Sequence, residues 1–129
     1  MTTDVFTVRG HDVIDLAARM MEWERVRHIP VEDDEGRLVG ILSHRDLLQL
    51  VGRALEDPSQ APVTVDDIMC KAPITVTPET PTLEAIRKMR EHEIGCLPVV
   101  EGDRLVGILS ERTFLEVAAV LIERELSRG

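Results

Sequence analysis

Apolar residues follow two different spacings along this chain, and together these predict a short series of helices and strands. The runs Ile29-Pro30-Val31 and Leu38-Val39-Gly40-Ile41-Leu42 are apolar throughout and are separated by an acidic segment that contains a glycine, residues 32–36. This arrangement predicts two buried strands joined as a hairpin. Apolar residues at helical spacing predict a helix on either side of it: Ala17, Met20 and Met21 before it, and Leu47, Leu48, Val51, Ala54 and Leu55 after it.

The same pattern returns in the second half of the chain. Residues 37–43 read Arg-Leu-Val-Gly-Ile-Leu-Ser and recur unchanged at residues 104–110, which lie 104 − 37 = 67 positions later. Residues 7–31 align with residues 75–99 without a gap, at an offset of 68. The one-residue difference falls in the hairpin turn, where a change in length is tolerated best. The chain therefore consists of two copies of one unit of roughly 65 residues.

Each copy is expected to run strand, helix, strand, strand, helix. The β-branched run Ile74-Thr75-Val76 predicts the first strand of the second copy. Thr80 is then expected to cap a helix that has Pro81 at its first position, and Gly95 is expected to end that helix. A closing helix is expected over residues 114–126.

The repeat divides the chain into three segments. Residues 1–55 form the first repeat, residues 56–64 a linker rich in proline and polar residues, and residues 65–129 the second repeat. The second repeat begins with a lead-in, Val65-Asp66-Asp67-Ile68-Met69, that the first repeat lacks, because Met69 aligns with Met1 (69 − 68 = 1). We therefore expect Met1 to be an internal position of a longer chain; the alternative is a natural start at this point.

Composition and charge exclude several classes of partner. The chain has 129 residues, of which 43% are hydrophobic, but only one Trp, two Phe and no Tyr, which argues against stacking platforms for nucleic-acid bases. A net charge of −9 would repel both nucleic acid and an anionic membrane surface. Without a secretory signal or a long apolar run, the chain is expected in the cytoplasm.

The metal-ligating residue types do not form a convincing site. Cys70 and Cys96 are expected to be free thiols, as is usual in a reducing cytoplasm. Zinc would need further ligands at close spacing, and only His92 lies near Cys96, so no metal site is expected. The acidic residues 32–35 fit a solvated turn, with a cation site as the alternative.

Several motifs in this order resemble the CBS domain, named for cystathionine β-synthase, in its usual tandem pair or Bateman module. They are Ile29-Pro30-Val31 and Leu97-Pro98-Val99, the stretches at residues 40–46 and 107–113, and the lead-in Asp67-Ile68-Met69. The resemblance covers nearly the whole chain. It implies an α/β fold of two pseudo-symmetric β-α-β-β-α repeats that pack sheet to sheet, and pairs that often dimerise. It also implies a regulatory role, in which an adenosine-containing ligand (AMP, ADP, ATP or S-adenosylmethionine) binds between the repeats and an attached enzyme or transporter responds. No covalent cofactor is implied.

The chemistry of such a site is expected at the start of the helix that follows residue 42. Free amides at a helix start favour an anion such as phosphate, and Ser43 adds a hydroxyl donor. Asp46 can accept two hydrogen bonds from a ribose diol, with His44 and Arg45 as local positive charge. Three further residues are expected to supply a polar edge and an apolar wall for adenine: Thr7, Ile29 and Pro30.

The same residues have a purely structural interpretation. Ser43 and Asp46 also fit a capping box, in which the serine side chain caps the helix and the acid reaches back to the serine amide. Capping explains the local pattern about as well as ribose binding does. His28, which precedes the first hairpin strand, fits a half-buried structural histidine, with a ligand contact or a pH switch as the alternative.

The second repeat differs where the chemistry is expected, because Thr113 stands in the place of Asp46. A threonine cannot accept two hydrogen bonds from a diol as a carboxylate does, so ligand binding there is expected to be weak, absent or altered. The candidate residues of this second site are Thr75, Cys96, Leu97, Pro98, Ser110 and Arg112. Arg112 is expected either to reach the phosphates of the first site or to be an ordinary surface arginine.

Three functional classes fit this pattern to different degrees. A sensor of an adenosine-containing ligand fits best, in a protein that forms homodimers and belongs to a longer chain with an effector domain. A ligand-free dimerisation or interaction module is the alternative, and Trp23, which is expected to be exposed on the first helix, favours it. An enzyme fits poorly, because no nucleophile with a base and no Walker-type phosphate loop occurs in the sequence.

Overall fold

The structure is a computed structural model that describes residues 5–57 and 63–128. Its contacts fall into two compact units. The first unit contains Phe6–Pro73 and Gly102–Leu105, and the second is built mainly from Ile74–Glu101 and the chain from Val106 onward. The units do not coincide with the sequence repeats, because the lead-in of the second repeat lies in the first unit.

Among its described residues, the first unit contains a four-stranded sheet and three helices. In chain order they are β1 (Val8–Arg9), α1 (Ile14–Glu24), β2 (His28–Glu32), β3 (Leu38–Ser43), α2 (His44–Glu56), α3 (Val65–Ile68) and β4 (Cys70–Lys71). The strand order is β1-β2-β3-β4. Strand β1 runs parallel to β2, whereas β2 and β3 form the antiparallel hairpin predicted from their apolar runs. Strand β4 is antiparallel to β3.

In the part of the chain that the structure describes, the second unit contains two helices and a two-stranded sheet. Its elements are α4 (Thr82–His92), β5 (Cys96–Glu101), β6 (Arg104–Ser110) and α5 (Glu111–Arg128), and β5 pairs with β6. By their contacts, the first two residues of β6 belong to the first unit. The hairpin and both helices were predicted from the sequence, and the α/β class is confirmed.

The strand expected at Ile74-Thr75-Val76 is wrong, because only Val76 forms a bridge, to Val99. The Val76 amide donates to the Pro98 carbonyl at 3.1 Å, and its carbonyl accepts from Val100 at 2.8 Å. A turn begins directly afterwards, since the Thr80 amide donates to the Thr77 carbonyl. Because the turn follows so closely, only Val76 of this segment pairs with β5.

The predicted ends of α4 are also wrong by one or two residues. Pro81 is the N-cap rather than the first helical residue, and the Thr80 hydroxyl accepts from the Thr77 amide instead of capping the helix. The helix ends at His92, and its C-cap is Glu93, which adopts a left-handed φ of 52°, so Gly95 is not the stop. A glycine is the usual residue for that backbone conformation, but here a glutamate takes it.

The cores of the two units use the same positions of the two repeats. The first core contains Val8, Ala17, Met21, Ile29, Val31, Leu42 and Val65, and the second contains Val76, Ala85, Leu97 and Val99. Met89 and Leu109 pack against the second core at the positions that align with Met21 and Leu42. Val65 is the exception, because a residue of the second repeat is fully buried in the core of the first unit.

The acidic segment after β2 is held as a turn by one of its own carboxylates. Asp33 Oδ1 accepts from the amides of Glu35 and Arg37, both at 2.9 Å, and Oδ2 accepts from Arg37 Nε at 2.8 Å. The hydrogen bond from the Arg37 amide, with further bonds from the Arg37 side chain and the Glu35 amide, lowers the pKa of the Asp33 carboxyl. Gly36 supplies the positive φ, 82°, that the turn requires. The Asp33 carboxylate is therefore already occupied by hydrogen bonds within the turn.

No helix in the described part of the chain is both long enough and apolar enough to span a membrane.

Candidate ligand site

The sheet of the first unit brings the predicted residues of the first repeat to neighbouring strands. His28 at the start of β2 lies opposite Ser43 at the end of β3, and Pro30 lies opposite Ile41. Val8 of β1 is level with Val31, so Thr7 immediately precedes the paired part of β1 on the other side of β2. The start of β2 thus lies opposite the end of β3, whereas the start of β1 is level with Val31 and, across β2, with Gly40, three residues before Ser43.

Helix α2 begins directly at the end of β3, and its first turn closes with a capping box. The Asp46 amide donates to Ser43 Oγ at 3.2 Å, and the Ser43 amide donates to Asp46 Oδ2 at 2.9 Å. The structural interpretation of this motif is therefore correct in geometry. It does not exclude ligand binding, because Asp46 Oδ1 takes no hydrogen bond from any described residue and the side chain is only half-buried. The cap fixes the orientation of a carboxylate that keeps one oxygen for another donor.

Positive charge stands beside this carboxylate. His44 and Arg45 are exposed in the first turn of α2, and neither forms an ion pair with a described residue. The His44 amide is used by the fold, since it donates to the Arg27 carbonyl at 2.8 Å. Anions are stabilised at a helix N-terminus by the helix dipole, and the unpaired Arg45 adds to that field. The formal charges of Arg45 and Asp46 cancel, so a small anion would be favoured here by the helix N-terminus and direct contact with Arg45 rather than by a local excess of positive charge.

Thr7, Ile29 and Pro30 have different degrees of access. Thr7 is half-buried, which is compatible with a polar contact at the site edge. Ile29 has no exposed surface and packs in the first core, and Pro30 is also fully buried. The apolar wall expected from these two residues is therefore covered in this structure, and neither residue has surface open to a ligand.

The second unit repeats the frame with different side chains. The Glu111 amide donates to the Gly95 carbonyl at 3.1 Å, as His44 does to Arg27 in the first unit. Ser110 is half-buried at the end of β6 and Arg112 is exposed in the first turn of α5. Leu97 and Pro98 are fully buried in β5, and Thr75 is half-buried in the segment before Val76.

Sequence reasoning missed the contact between Gly95 and the side chain of Glu111. A Cβ atom added to Gly95 would lie 2.8 Å from Glu111 Oε1, so the carboxylate folds over the glycine. The aligned positions in the first repeat are Arg27 and His44, which differ in charge and size. Comparing the two repeats at these positions was the available signal. The contact places a negative charge at the start of α5 where the first repeat has a histidine.

Cys96 is buried at the start of β5, and Cys70 is exposed in β4. Burial raises the pKa of the Cys96 thiol to about 12. A protonated thiol is a poor metal ligand and a poor nucleophile at neutral pH, because both roles need the thiolate. The described residues contain no group of three or more His, Cys, Asp or Glu side chains placed to hold a metal ion.

The raised pKa of Cys96 predicts a loss of stability at high pH. The unfolded thiol ionises near pH 8.5, whereas the folded thiol keeps its proton up to about pH 12, so the free energy of unfolding falls as pH rises between these values. From pH 8.5 to 10 we expect the wild type to lose about 1–2 kcal/mol more than Cys96→Ala does. Urea denaturation at several pH values measures this loss. The control is Cys70→Ala, whose replaced thiol is exposed, and a Cys96→Ala slope equal to that of Cys70→Ala would contradict the prediction.

The fold and the helix starts define a class: a tandem pair of α/β repeats in which the second strand of each hairpin ends at a serine directly before a helix N-terminus. A model of the CBS domain matches residues 1–53 and 65–120. These segments cover most of the chain, and the chain belongs to the CBS domain family.

Relatives and solved structures agree with this family. The chain is 36% identical over 110 residues to homoserine O-acetyltransferase of Methanococcoides burtonii, a match that covers 84% of this chain and 21% of that relative. It thus spans about a fifth of the relative's length. The structure is similar to CBSX2 in complex with AMP, with a TM-score of 0.82, 30% identity and coverage of 95% of this chain and 94% of that one. It is also similar to the CBS domain pair of protein MJ0100 in complex with 5′-methylthioadenosine and S-adenosyl-L-methionine. There the TM-score is 0.79, the identity is 26%, and the match covers 92% of this chain and 91% of that one.

Proposed function

We propose that this chain is a regulatory module that binds an adenosine-containing ligand at the start of α2 and reports its presence to an effector domain or partner protein. The observation that carries the proposal is the geometry of Asp46, whose capping bond through Oδ2 leaves Oδ1 for a ligand hydroxyl. Two similar structures support the ligand class, since one is a complex with AMP and the other with methylthioadenosine and S-adenosylmethionine.

Each residue of the first turn has a chemical role in this proposal. Asp46 accepts hydrogen bonds from the ribose diol, and Ser43 offers its hydroxyl while it continues to cap the helix. Arg45 and His44 face the phosphate or other anionic group, together with the amides of the helix start. Thr7 contributes a polar contact at the edge, with the fully buried Ile29 and Pro30 behind it as apolar support.

The second repeat is proposed to bind the same ligand more weakly or not at all. Thr113 replaces the acceptor of the ribose diol, and Glu111 stands in the place of His44 at the helix start. The residues proposed for this site are Thr75, Cys96, Leu97, Pro98, Ser110 and Arg112.

We infer no catalytic role for either repeat, because no nucleophile with a base occurs in the sequence, and we place the protein in the cytoplasm.

A panel of thermal denaturation measurements tests this proposal. AMP, ADP, ATP and S-adenosylmethionine are compared with inorganic phosphate, which reports anion binding without adenosine. A ligand at a hundred times its Kd stabilises the folded state by about 2.7 kcal/mol, so at least one adenosine compound is expected to raise the Tm by several degrees. If none of them changes the Tm at millimolar concentration, the proposal is wrong. An equal rise in Tm with inorganic phosphate alone would show that the site binds an anion without recognising adenosine.

A second candidate function is a ligand-free dimerisation module, and exposed apolar side chains favour it. Trp23 of α1 is 75% exposed, and Leu48, Val51 and Leu55 are exposed at helical spacing on α2. Exposed aromatic and aliphatic stripes of this kind mark protein contacts. Sedimentation at several protein concentrations separates the candidates. A tight homodimer whose affinity ignores nucleotides supports the second function, and a monomer at all concentrations excludes it.

A further inference from the structure

The lead-in of the second repeat and the last linker residues pack within the first unit. We name residues 63–71 the strap. Its helix α3 buries Val65 completely in the first core, and Ile68 and Met69 pack against the same core. Its strand β4 adds an edge to the sheet that carries the candidate ligand site. A segment that belongs to one repeat by sequence thus completes the packing of the other.

One end of the strap holds the loop between β1 and α1. The Val65 amide donates to the Asp12 carbonyl at 3.0 Å, and the Asp66 amide donates to the Gly10 carbonyl at 2.9 Å. The approach is close, because a Cβ atom on Gly10 would lie 1.9 Å from Asp66 Oδ1. This loop follows β1, which begins directly after Thr7 of the proposed site.

The other end of the strap holds β3. Gly40 pairs with Lys71 and Ile41 pairs with Cys70 in the antiparallel register of β3 and β4. A Cβ atom on Gly40 would lie 2.6 Å from Met69 Sδ and 2.9 Å from the Cys70 carbonyl oxygen. The glycine of the Gly-Ile-Leu-Ser motif is therefore needed for the close approach of the strap, three residues before Ser43.

We propose that the strap is a positioning segment for the ligand site of the first repeat, and that its docking is thermodynamically coupled to ligand binding. The proposal rests on the function proposed above. The strap contacts the loop that follows β1, and β1 begins directly after Thr7. It also pairs with β3, which ends at Ser43. The strap therefore fixes the separation of β1 and β3 across β2. Coupling is reciprocal: if a docked strap raises the ligand's affinity, bound ligand stabilises the docked strap by the same free energy. Because the strap leads through Ala72 and Pro73 into the second unit, ligand binding in the first unit acts on the segment of chain that joins the two units.

Glycine substitutions test the coupling, and the chain offers a matched control. Gly40→Ala places a methyl group against Met69 and the Cys70 backbone, so β4 must shift away from β3. Gly52→Ala makes the same chemical change on α2, where nothing lies within 4 Å of the added atom. Met21→Ala, a truncation in α1, serves as a variant that loses core packing but leaves the strap's own residues unchanged. Gly10→Ala, which crowds Asp66 at the other end of the strap, replaces Gly40→Ala if that variant does not fold.

Two measurements are made on each variant: the Kd for AMP by calorimetry, and hydrogen exchange of the Val65 and Asp66 amides with and without AMP. In the wild type we expect AMP to slow exchange of these two amides at least fivefold, which is the lower end of usual coupling. Gly40→Ala is expected to weaken AMP binding at least fivefold and to reduce the slowing. Gly52→Ala and Met21→Ala are expected to keep the wild-type Kd, a result that a merely structural role for the strap would not give.

The failures of the two proposals are distinguishable. If the wild type binds AMP but the strap amides exchange at the same rate with and without it, the coupling is wrong and the proposed function stands. The coupling is also wrong if Gly40→Ala binds AMP with the wild-type Kd, or if Met21→Ala weakens binding as much as Gly40→Ala. If the wild type binds no adenosine compound, the proposed function fails and the coupling fails with it.

Discussion

Replacing Asp46 by alanine is expected to weaken AMP binding by about tenfold to a hundredfold. The substitution removes a carboxylate that keeps Oδ1 unpaired among the described residues and lies beside the start of α2. Loss of a hydrogen bond to a charged group costs about 1.5–3 kcal/mol, which corresponds to this change in Kd. Calorimetric titration of the wild type and the variant measures it directly.

The test must separate ligand recognition from helix capping, because Asp46 does both. Loss of the cap costs about 0.5–2 kcal/mol of stability and would disturb the site indirectly. Asp46→Glu is the informative companion variant, since a glutamate three residues after a serine completes a standard capping box. Its longer side chain retains the cap but moves the carboxylate. We expect Asp46→Glu to unfold at nearly the same urea concentration as the wild type and still to bind AMP at least tenfold more weakly. Wild-type affinity in Asp46→Ala would contradict the assigned role.

Truncation of Leu42 is expected to give the largest loss of stability among the changes considered. Leu42 lies in β3 with no exposed surface and belongs to the first core. A buried leucine replaced by alanine leaves a cavity and costs about 2–5 kcal/mol. The change lies one residue before Ser43, so the loosened strand should also weaken AMP binding.

Leu48→Ala is the matched control for Leu42→Ala, since Leu48 lies on α2 with 69% of its surface exposed. Exposed substitutions of this kind usually change the free energy of unfolding by no more than about 0.5 kcal/mol. Urea denaturation of both variants gives the comparison. Equal losses of stability in the two variants would show that the apolar stripe of α2 is buried in solution, as in a tight dimer, and would contradict the exposure described for Leu48 in the single chain.

The hairpins and helices were predictable because their signals are local. The apolar runs on either side of residues 32–36 and the helical spacing of Ala17 and Met21 depend only on neighbouring residues. The strand predicted at residues 74–76 is reduced to a single bridge at Val76, because β-branched residues indicate a strand but not whether its neighbours leave space to pair. Helix ends differed where Pro81 and Glu93 adopted positions that local preference gives to other residues.

The site was predictable in part for the same reason. Ser43 and Asp46 are three residues apart, so their place at a helix start follows from the sequence. That Asp46 caps the helix and also keeps one oxygen unpaired needs coordinates, because both interpretations use the same spacing. The burial of Ile29 and the docking of the strap depend on contacts between distant segments. Alignment of the repeats identifies the lead-in around Val65, but it does not indicate which core that residue joins.

A calorimetric titration of the wild-type chain with AMP is the most direct test of a ligand site at the start of α2. We expect saturable binding of about one AMP per chain, because the second repeat has Thr113 in place of the acid, and we expect Asp46→Glu to bind at least tenfold more weakly under the same conditions. No binding up to millimolar AMP, or binding that Asp46→Glu leaves unchanged, would contradict it.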